Sequence, residues 1–217
     1  MIDDLFATPD AAQPWSEPVD TGATVLRGFA LAPAAALLAA INAISAAAPF
    51  RHMTTPGGQA MSAAMTNCGA LGWISDARGY RYAPADPLTG RPWPQLPDAW
   101  LRLAAGAADV AGFPGFVPDA CLINRYAPGA RMALHQDRDE RDLTQPIVSV
   151  SLGLSVIFQF GGLQRAQRPQ RVPLMHGDVM VWGGPARLRY HGVLALRGGL
   201  HPLVGGYRIN LTFRKAG

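Results

Sequence analysis

The sequence predicts a mainly β protein with flanking helices, in which a barrel or jelly roll occupies the second half of the chain. Eight short segments with strand character follow one another after residue 120, with turns and no helical periodicity between them. Glycine and proline, 24 and 19 of the 217 residues, fall mostly between short apolar runs, which indicates many turns. Helical periodicity is confined to two earlier segments.

The two helical segments are residues 32–48 and 97–112. Pro33 suits the first turn of the first helix, while Asp98 is predicted to cap the second helix and Gly112 to end it. The predicted apolar stripes are Leu37, Leu38, Ile41, Ile44 and Ala48 in the first helix, and Trp100, Leu103, Ala107 and Val110 in the second. We therefore expect both helices to buttress a sheet.

The strands are predicted from short apolar runs bounded by turn residues. They read CLINRY, ARMALHQ, PIVSVSLG, SVIFQFG, RVPL, GDVMVWGG, LRYHGVLAL and GYRINLTFR in chain order. In the third strand, Val148, Val150 and Leu152 fall on one face and Ile147, Ser149 and Ser151 fall on the other. This alternation is typical of a strand.

Residues 51–96, between the two helices, are predicted to be irregular because glycine and proline interrupt them repeatedly. The segment also contains Trp73, Tyr80, Tyr82 and Trp93. A long loop-rich segment in a compact domain usually has a function, so these aromatic residues are candidates for ligand contacts. The alternative is that they form a satellite of the hydrophobic core.

Charge is distributed unevenly along the chain. Residues 1–50 contain one arginine against five acids, whereas residues 160–217 contain eight arginines and Lys215 against Asp178 alone. Such a basic segment predicts attraction to a polyanion such as nucleic acid, although the arginines could also face solvent or bind small anions. The full chain carries a formal net charge of +4.

No apolar run is long enough to span a membrane, and the acidic N-terminus lacks a signal-peptide pattern. We therefore expect a cytoplasmic protein without a membrane partner. The two cysteines, Cys68 and Cys121, form no CxxC pair and are predicted to be reduced, buried thiols.

A histidine and a carboxylate stand at the end of a predicted strand, in the stretch MALHQDRDE. His135 and Asp137 are two residues apart, so their side chains would lie on one strand face, and His191 lies near another strand end. Two imidazoles and one carboxylate with open coordination positions are the ligands of non-haem iron(II) oxygenases. A structural zinc site would need a fourth ligand, for which His52, His176 and His201 lack suitable spacing. Alternatively, the stretch is a solvated strand end and His191 a half-buried histidine.

The last predicted strand, GYRINLTFR, places Arg208, Asn210, Thr212 and Arg214 on one face. Two arginines pointing inward are unfavourable unless an anion pairs with them, and guanidinium groups suit carboxylates. The alternative is a polar stripe facing solvent. Together with the metal ligands, a pair of arginines that could hold a short dicarboxylate suggests an enzyme that uses iron(II), 2-oxoglutarate and O2.

Several motifs resemble the AlkB family of bacterial DNA repair dioxygenases. The matching segments are NRYAPGARMALHQDRDE, PIVSVSLGLSVIFQFGG, HGDVMVWGG, RLRYHGV, YRINLTFR and, earlier in the chain, FRHMTTPGGQAMSAAMTNCGALGW. The resemblance implies a double-stranded β-helix (jelly roll) core with an N-terminal nucleotide-recognition lid, all within a single domain of residues 1–217. The implied parts are an N-terminal extension and buttressing helix (1–50), the lid (51–96) and the catalytic core with the second helix (97–217).

The resemblance also implies site residues. His135, Asp137 and His191 would bind iron(II). Arg208, Tyr126 and Asn210 would hold the distal carboxylate of 2-oxoglutarate, and Arg214 and Asn124 the carboxylate near the metal. Trp73 would stack on the flipped base opposite the His135 ring, and Asp139 would meet its exocyclic amine unless it pairs with Arg138 or Arg141. Tyr80, Arg81, Tyr82 and Arg165 would contact the nucleic acid, although Arg81 could face water.

The implied reaction is oxidative demethylation of N-alkylated bases such as 1-methyladenine and 3-methylcytosine, in DNA or also in RNA, releasing formaldehyde, succinate and CO2. One alternative is a 2-oxoglutarate-dependent hydroxylase of a protein, lipid or small molecule, which would not need both Trp73 and Asp139. The other is a non-catalytic nucleic-acid-binding barrel with a structural metal, which predicts bound zinc and no succinate. We expect a monomer.

Overall fold

Two antiparallel sheets facing each other form the centre of the protein in a computed structural model that describes residues 15–217. The elements are β1 (Trp15–Asp20), β2 (Ala23–Arg27), α1 (Ala34–Ala47), β3 (Ala64–Gly69), β4 (Gly72–Asp76), β5 (Gly79–Ala83), α2 (Asp98–Val110), β6 (Ala120–Tyr126), β7 (Met132–His135), β8 (Ile147–Gly153), β9 (Val156–Phe160), β10 (Gln170–Leu174), β11 (Val179–Trp182), β12 (His191–Val193) and β13 (Arg208–Arg214), with a 3-10 turn at Gly184–Ala186. The predicted mainly β jelly roll is confirmed.

The larger sheet has seven strands in the order β1-β2-β11-β8-β13-β6-β3, and the smaller has four in the order β10-β9-β12-β7. One hydrophobic cluster fills the space between the sheets and includes Tyr126, Phe158 and Trp182. A second cluster joins the outer face of the larger sheet to α1 and α2. The larger sheet is therefore buried on both faces, which holds its side chains in fixed positions.

All eight strands predicted after residue 120 are present, as β6 to β13. In β8, Val148, Val150 and Leu152 belong to the cluster that contacts the helices, while Ser149 lines the space between the sheets. The alternation predicted for this strand is correct because strand side chains point to opposite faces in turn.

The last strand, β13, lies between β6 and β8 and is buried along its whole length. Ile209, Leu211 and Phe213 contact the helix side. Arg208 and Arg214 point to the inner side and are 1% and 6% exposed, so the alternative of a solvent-facing polar stripe is wrong.

The helices are present but differ in detail from the prediction. Asp98 is the first residue of α2 and makes no capping hydrogen bond, because Pro97 holds the cap position. The buried face of α2 consists of Trp100, Ala104, Ala107 and Ala108, whereas Val110 is exposed. Trp100 and Ala107 of the predicted stripe are buried and Leu103 packs against the same cluster, so the prediction is wrong only at Val110. Within residues 15–217, no helix is long and apolar enough to cross a membrane.

The N-terminal half contains five strands that the sequence did not predict. Residues 15–27 form the hairpin β1–β2, in which Gly22 makes the turn with a φ of +78°. The segment 51–96, expected to be irregular, contains β3 in the larger sheet and the separate hairpin β4–β5. Strand β3 shows no alternation because five of its six residues are fully buried on both faces.

Both cysteines are buried free thiols, as predicted. Cys68 on β3 and Cys121 on β6 lie directly opposite each other in the strand pair. Burial and the neighbouring thiol raise the pKa of Cys121, which keeps it in the unreactive protonated form.

Candidate active site

His135, Asp137 and His191 converge between the two sheets. His135 ends β7 and His191 begins β12, and these residues are directly paired in the antiparallel ladder. Asp137 follows the end of β7 by two residues, and its carboxylate oxygens lie 3.5 Å from Nε2 of His135 and 3.7 Å from Nε2 of His191. One ligand atom from each residue lies within 4.8 Å of the other two, a spacing that one metal ion can bridge.

The backbone fixes the orientation of both imidazole rings. Nδ1 of His135 lies 2.9 Å from the carbonyl oxygen of Ala133, and Nδ1 of His191 lies 3.0 Å from that of Arg189. A carbonyl oxygen only accepts, so each Nδ1 carries the proton that it donates. In the neutral form of each ring, Nε2 then keeps a free lone pair on the side of Asp137, which is the arrangement of metal-binding histidines.

Gly192 allows β12 to lie close to β7. A Cβ atom at this position would come 2.7 Å from the carbonyl oxygen of Met132, which is too short for any side chain. The close approach keeps the rings of His135 and His191 together, with 4.4 Å between their centroids.

Arg214 neutralises the carboxylate of the triad. Its Nε and Nη2 atoms donate to Oδ2 of Asp137 at 2.9 and 2.6 Å. Burial alone would raise the pKa of Asp137, but the positive charge of Arg214 holds it well below the usual range. Burial and the nearby His135 lower the pKa of His191. An ionised carboxylate and a neutral imidazole are the protonation states that a metal ion requires.

Arg208 is a buried cation without a carboxylate partner in the described part of the chain. It is 1% exposed, and its Nη2 donates to the hydroxyl of Ser151 at 2.9 Å. Nε and Nη1 are buried without a hydrogen-bond partner among the described residues. Burial lowers the pKa of Arg208, with partial compensation from the adjacent Tyr126. Such a guanidinium group fits an anionic ligand that binds with two oxygen atoms.

Two asparagines lie beside the arginines on β6 and β13, where they are paired directly. The amide nitrogen of Asn210 donates to the hydroxyl of Ser149 at 2.8 Å and to the carbonyl of Val150 at 3.0 Å. The amide nitrogen of Asn124 donates to the side-chain oxygen of Asn210 at 3.4 Å. Its own side-chain oxygen has no hydrogen-bond partner among the described residues.

A cavity with about 390 Å³ of empty space, including its open mouth, lies between the sheets. It is lined by Leu122, Asn124, Tyr126, Met132, His135, Asp137, Ser149, Phe158, Trp182, His191, Gly192, Val193, Asn210, Thr212 and Arg214. The three predicted metal ligands therefore share one cavity with four of the five residues predicted to bind 2-oxoglutarate, and Arg208 precedes Asn210 by two residues on the same strand face.

Residues 22–214 match the family model of the 2OG-Fe(II) oxygenase superfamily. The chain is 57% identical over 214 residues to "Alpha-ketoglutarate-dependent dioxygenase AlkB" of Escherichia coli (strain K12), covering 99% of this chain and 98% of that protein. The chain belongs to the AlkB family. This AlkB-family protein is also 48% identical to "Alpha-ketoglutarate-dependent dioxygenase AlkB homolog" of Caulobacter vibrioides, over 89% of this chain and 90% of that one.

The solved structure of OsALKBH1 covers 93% of this chain and 100% of its own, with a TM-score of 0.83 and 24% identity, and this likeness supports the fold. As an AlkB-family member, the protein is a dioxygenase that uses iron(II), 2-oxoglutarate and O2. The residues present fit both groups. The triad offers two nitrogens and one oxygen to the metal, and Arg208 offers two unused donor atoms to a carboxylate.

The predicted base-binding residues Trp73 and Asp139 are in contact. The indole Nε1 of Trp73 donates to Oδ2 of Asp139 at 2.8 Å. The indole ring is stacked on Tyr80, with 5.6 Å between centroids and 13° between planes. Asp139 thus binds the tryptophan, whereas the alternative was an ion pair with Arg138 or Arg141. Its position two residues after Asp137 brings the hairpin β4–β5 next to the metal ligands.

The remaining predicted substrate contacts lie on β5 and in the connection between β9 and β10. Both terminal nitrogens of Arg81 donate to Asp76, at 2.8 and 2.7 Å. The hydroxyl of Tyr82 donates to Glu140 at 2.7 Å and is thus directed toward the protein interior. Arg165 is exposed in the connection between β9 and β10. Arg81 and Tyr82 are therefore already engaged by carboxylates of this chain.

Two buried charged residues of the site had no predicted role. Glu140 belongs to the acidic cluster after His135, and Arg187 precedes His191 by four residues. The two form a salt bridge of 3.0 Å with side chains that are 2% and 3% exposed. The acidic cluster drew attention to the region, but no sequence pattern indicates that residues 47 positions apart form a buried pair.

Proposed function

We propose that the protein oxidatively removes N-methyl groups from damaged bases such as 1-methyladenine and 3-methylcytosine in DNA, and in RNA as a second substrate. One observation carries the proposal. The triad His135–Asp137–His191 lines the same cavity as Asn210, Thr212 and Arg214 of β13, and Asp139, two residues after Asp137, accepts a hydrogen bond from the indole of Trp73. Relatives at up to 58% identity are named AlkB dioxygenases.

The first task of the site is to hold iron(II) and the co-substrate 2-oxoglutarate. His135, Asp137 and His191 would bind iron(II), which with 2-oxoglutarate and O2 supplies the oxidation of the methyl group when bound. Arg208, Tyr126 and Asn210 would hold the distal carboxylate, since Arg208 has unused donors in a buried position. Arg214 and Asn124 would serve the carboxylate near the metal.

The second task is to hold the base outside the helical stack. A base must leave the duplex before an enzyme reaches its Watson–Crick edge, and an aromatic platform stabilises the flipped base by about 1–3 kcal/mol. We assign this platform to Trp73, with the His135 ring on the opposite side. N-methylated adenine and cytosine are cations, so the carboxylate of Asp139 would attract them and accept from their exocyclic amine.

The third task is to bind the strand around the base. Tyr80 and Arg165 are exposed and can contact it directly. Arg81 would reach a phosphate only by leaving Asp76, and Tyr82 would do so only by leaving Glu140. In residues 160–217, Arg187, Arg208 and Arg214 are buried, so an electrostatic share of binding that weakens with salt would come from the exposed Arg165, Arg168, Arg171 and Arg197. We further propose that the protein acts as a monomer in the cytoplasm, where reducing conditions keep iron ferrous.

The test is anaerobic loading with iron(II), followed by O2 and an oligonucleotide containing 1-methyladenine, with and without 2-oxoglutarate. We expect the oligonucleotide to lose the mass of one methylene group and to release formaldehyde only with the co-substrate. Asp137→Ala should abolish both products, whereas the exposed control Asp109→Asn should keep them. Full activity of Asp137→Ala would contradict the metal assignment.

The same experiment separates the alternatives. Succinate formation without loss of the methyl group, stimulated instead by a protein, lipid or small molecule, would indicate a hydroxylase of another substrate. One equivalent of tightly bound zinc with no succinate would indicate a structural metal in a nucleic-acid-binding barrel.

A further inference from the structure

Glu140 is a buried carboxylate shared by three side chains. Its Oε1 accepts from the Tyr82 hydroxyl at 2.7 Å and lies 3.3 Å from Nε of Arg214, and its Oε2 accepts from Nη2 of Arg187 at 3.0 Å. Its side chain is only 2% exposed. A carboxylate in such a position is stable only because cations and a hydroxyl surround it.

Arg187 connects this carboxylate to the metal-binding loop. Its Nη1 donates to the main-chain carbonyl of Asp137 at 2.6 Å, and its Nε donates to the carbonyl of Gln145 at 2.9 Å. One guanidinium group thus holds both ends of the loop 137–145. Arg187 also precedes His191 in the same segment, so it ties together the two parts of the chain that supply the triad.

Tyr82 connects the same carboxylate to the hairpin β4–β5. Tyr82 is the direct cross-strand partner of Trp73, so the two side chains lie on one face of the hairpin. The hairpin is therefore attached to neighbouring residues of the metal-binding loop at two points. Trp73 binds Asp139, and Tyr82 binds Glu140.

The two attachments differ in what a substrate would do to them. Asp139 is exposed, and in the proposed function it is the acceptor for the exocyclic amine of the base. A base that takes this carboxylate competes with the indole of Trp73 for it. Glu140 is buried and contacts Tyr82, Arg187 and Arg214. The contact between Tyr82 and Glu140 can therefore persist when Trp73 releases Asp139.

We propose, on the basis of the function above, that Glu140 is a positioning residue that keeps the base-binding hairpin attached to the metal-binding loop through Tyr82. Arg187 and Arg214 hold Glu140 in place, and Tyr82 is the contact of the hairpin. The pair thereby sets the distance between the tryptophan platform and the metal while Asp139 is occupied by the substrate.

Tyr82→Phe removes one hydroxyl and tests the hairpin side of the link. Loss of a hydrogen bond to a charged group weakens an attachment by roughly tenfold or more, so the KM for a 1-methyladenine oligonucleotide should rise by about this factor. We expect kcat and the KM for 2-oxoglutarate to stay within about twofold, because the metal-binding loop keeps its own contacts. In the metal-free protein, amide hydrogen exchange of β5 should accelerate by a similar factor.

Glu140→Gln keeps the shape but removes the charge that balances Arg187. Residues that orient metal ligands typically change metal affinity by about 10–100-fold, and we expect a loss of Mn(II) affinity in this range. In the double variant Tyr82→Phe/Glu140→Gln, the fold-increase in the oligonucleotide KM should be smaller than the product of the fold-increases in the two single variants, because both changes remove the same link. Tyr207→Phe and Asp109→Asn, at exposed positions, are matched controls.

Wild-type KM and wild-type β5 exchange in Tyr82→Phe would overturn the proposal, as would wild-type Mn(II) affinity in Glu140→Gln. If Glu140→Gln does not fold, Tyr82→Phe alone decides, because it removes a single hydroxyl. Failure of the proposed function would leave the wild type without demethylation, whereas failure of this inference would leave a Tyr82→Phe enzyme that works like the wild type.

Discussion

Replacing Arg208 distinguishes two effects of its buried charge, one on the stability of the metal-free protein and one on the binding of 2-oxoglutarate. In the free protein its Nε and Nη1 have no partner among the described residues, and its only side-chain hydrogen bond goes to Ser151. Arg208→Met keeps a long side chain and removes an unpaired buried charge, so we expect the metal-free protein to lose less than about 1 kcal/mol of stability or to gain some. Binding of 2-oxoglutarate, in contrast, should weaken strongly.

The size of the binding effect follows from the two unused donors. Each charge-assisted hydrogen bond is worth about 1.5–3 kcal/mol, so losing both would cost about 3–6 kcal/mol, which is roughly 10²–10⁴-fold in affinity. Succinate formation measured against 2-oxoglutarate concentration gives this ratio. Arg208→Lys should recover only part of it, because an ammonium group does not bind a carboxylate with two parallel hydrogen bonds.

Arg27 provides the matched comparison for stability. It is buried like Arg208, but its Nη1 lies 2.5 Å from Asp178, whose side chain is 2% exposed. Arg27→Met would leave that buried carboxylate without its cation, with the backbone amides of Gly28 and Met175 as its remaining donors, so we expect a loss of about 3–5 kcal/mol in denaturant unfolding. Two results would contradict the role of Arg208 as an unpaired cation that binds 2-oxoglutarate. One is that Arg208→Met destabilises the metal-free protein as much as Arg27→Met does, and the other is an unchanged KM for 2-oxoglutarate in Arg208→Met.

Three further predictions concern the base, the metal and pH. Trp73→Ala should raise the KM for a methylated oligonucleotide about 5–150-fold, from about 1–3 kcal/mol of stacking, and an unchanged KM would remove Trp73 from the platform. Mn(II) at a hundredfold excess over its dissociation constant should stabilise the wild type by about 2.7 kcal/mol in thermal unfolding, and Asp137→Ala should show no such gain. Burial and the neighbouring His201 lower the pKa of His176 in the folded protein. As the pH drops below about 6.5, the unfolded chain therefore binds a proton at His176 before the folded protein does, and the free energy of unfolding should fall. His176→Asn, which still offers an acceptor to the amide of Gly153, should flatten this pH dependence in metal-free unfolding measurements, and an unaltered slope would assign it to other groups.

The strands that carry the site could be predicted because their chemistry alternates strictly. In β13, arginines and asparagine on one face and Ile209, Leu211 and Phe213 on the other leave only one orientation that buries the apolar side. The comparisons confirm the dioxygenase function that the resemblance implied. The spacing of His135 and Asp137 likewise suggested a metal site, although the opposition of His135 to His191 depends on the pairing of β7 with β12.

Other features depend on contacts that no local pattern shows. Strand β3 lacks alternation because both of its faces are buried. In α2, Ala104 and Ala108 belong to the buried face and Val110 does not, which the apolar periodicity did not predict. The pairing of Glu140 with Arg187 joins residues that are far apart in the chain and therefore needs the tertiary fold.

Gly192 has a consequence for how this enzyme can be altered. Since a methyl group at this position would collide with the backbone of the adjacent strand, a mutation there would push one imidazole away from the other without changing either ligand. The separation of the two metal-binding nitrogens is thus set by main-chain proximity. We expect Gly192→Ala to yield a folded protein that binds Mn(II) poorly, so that a residue with no side chain governs the geometry of the catalytic ion.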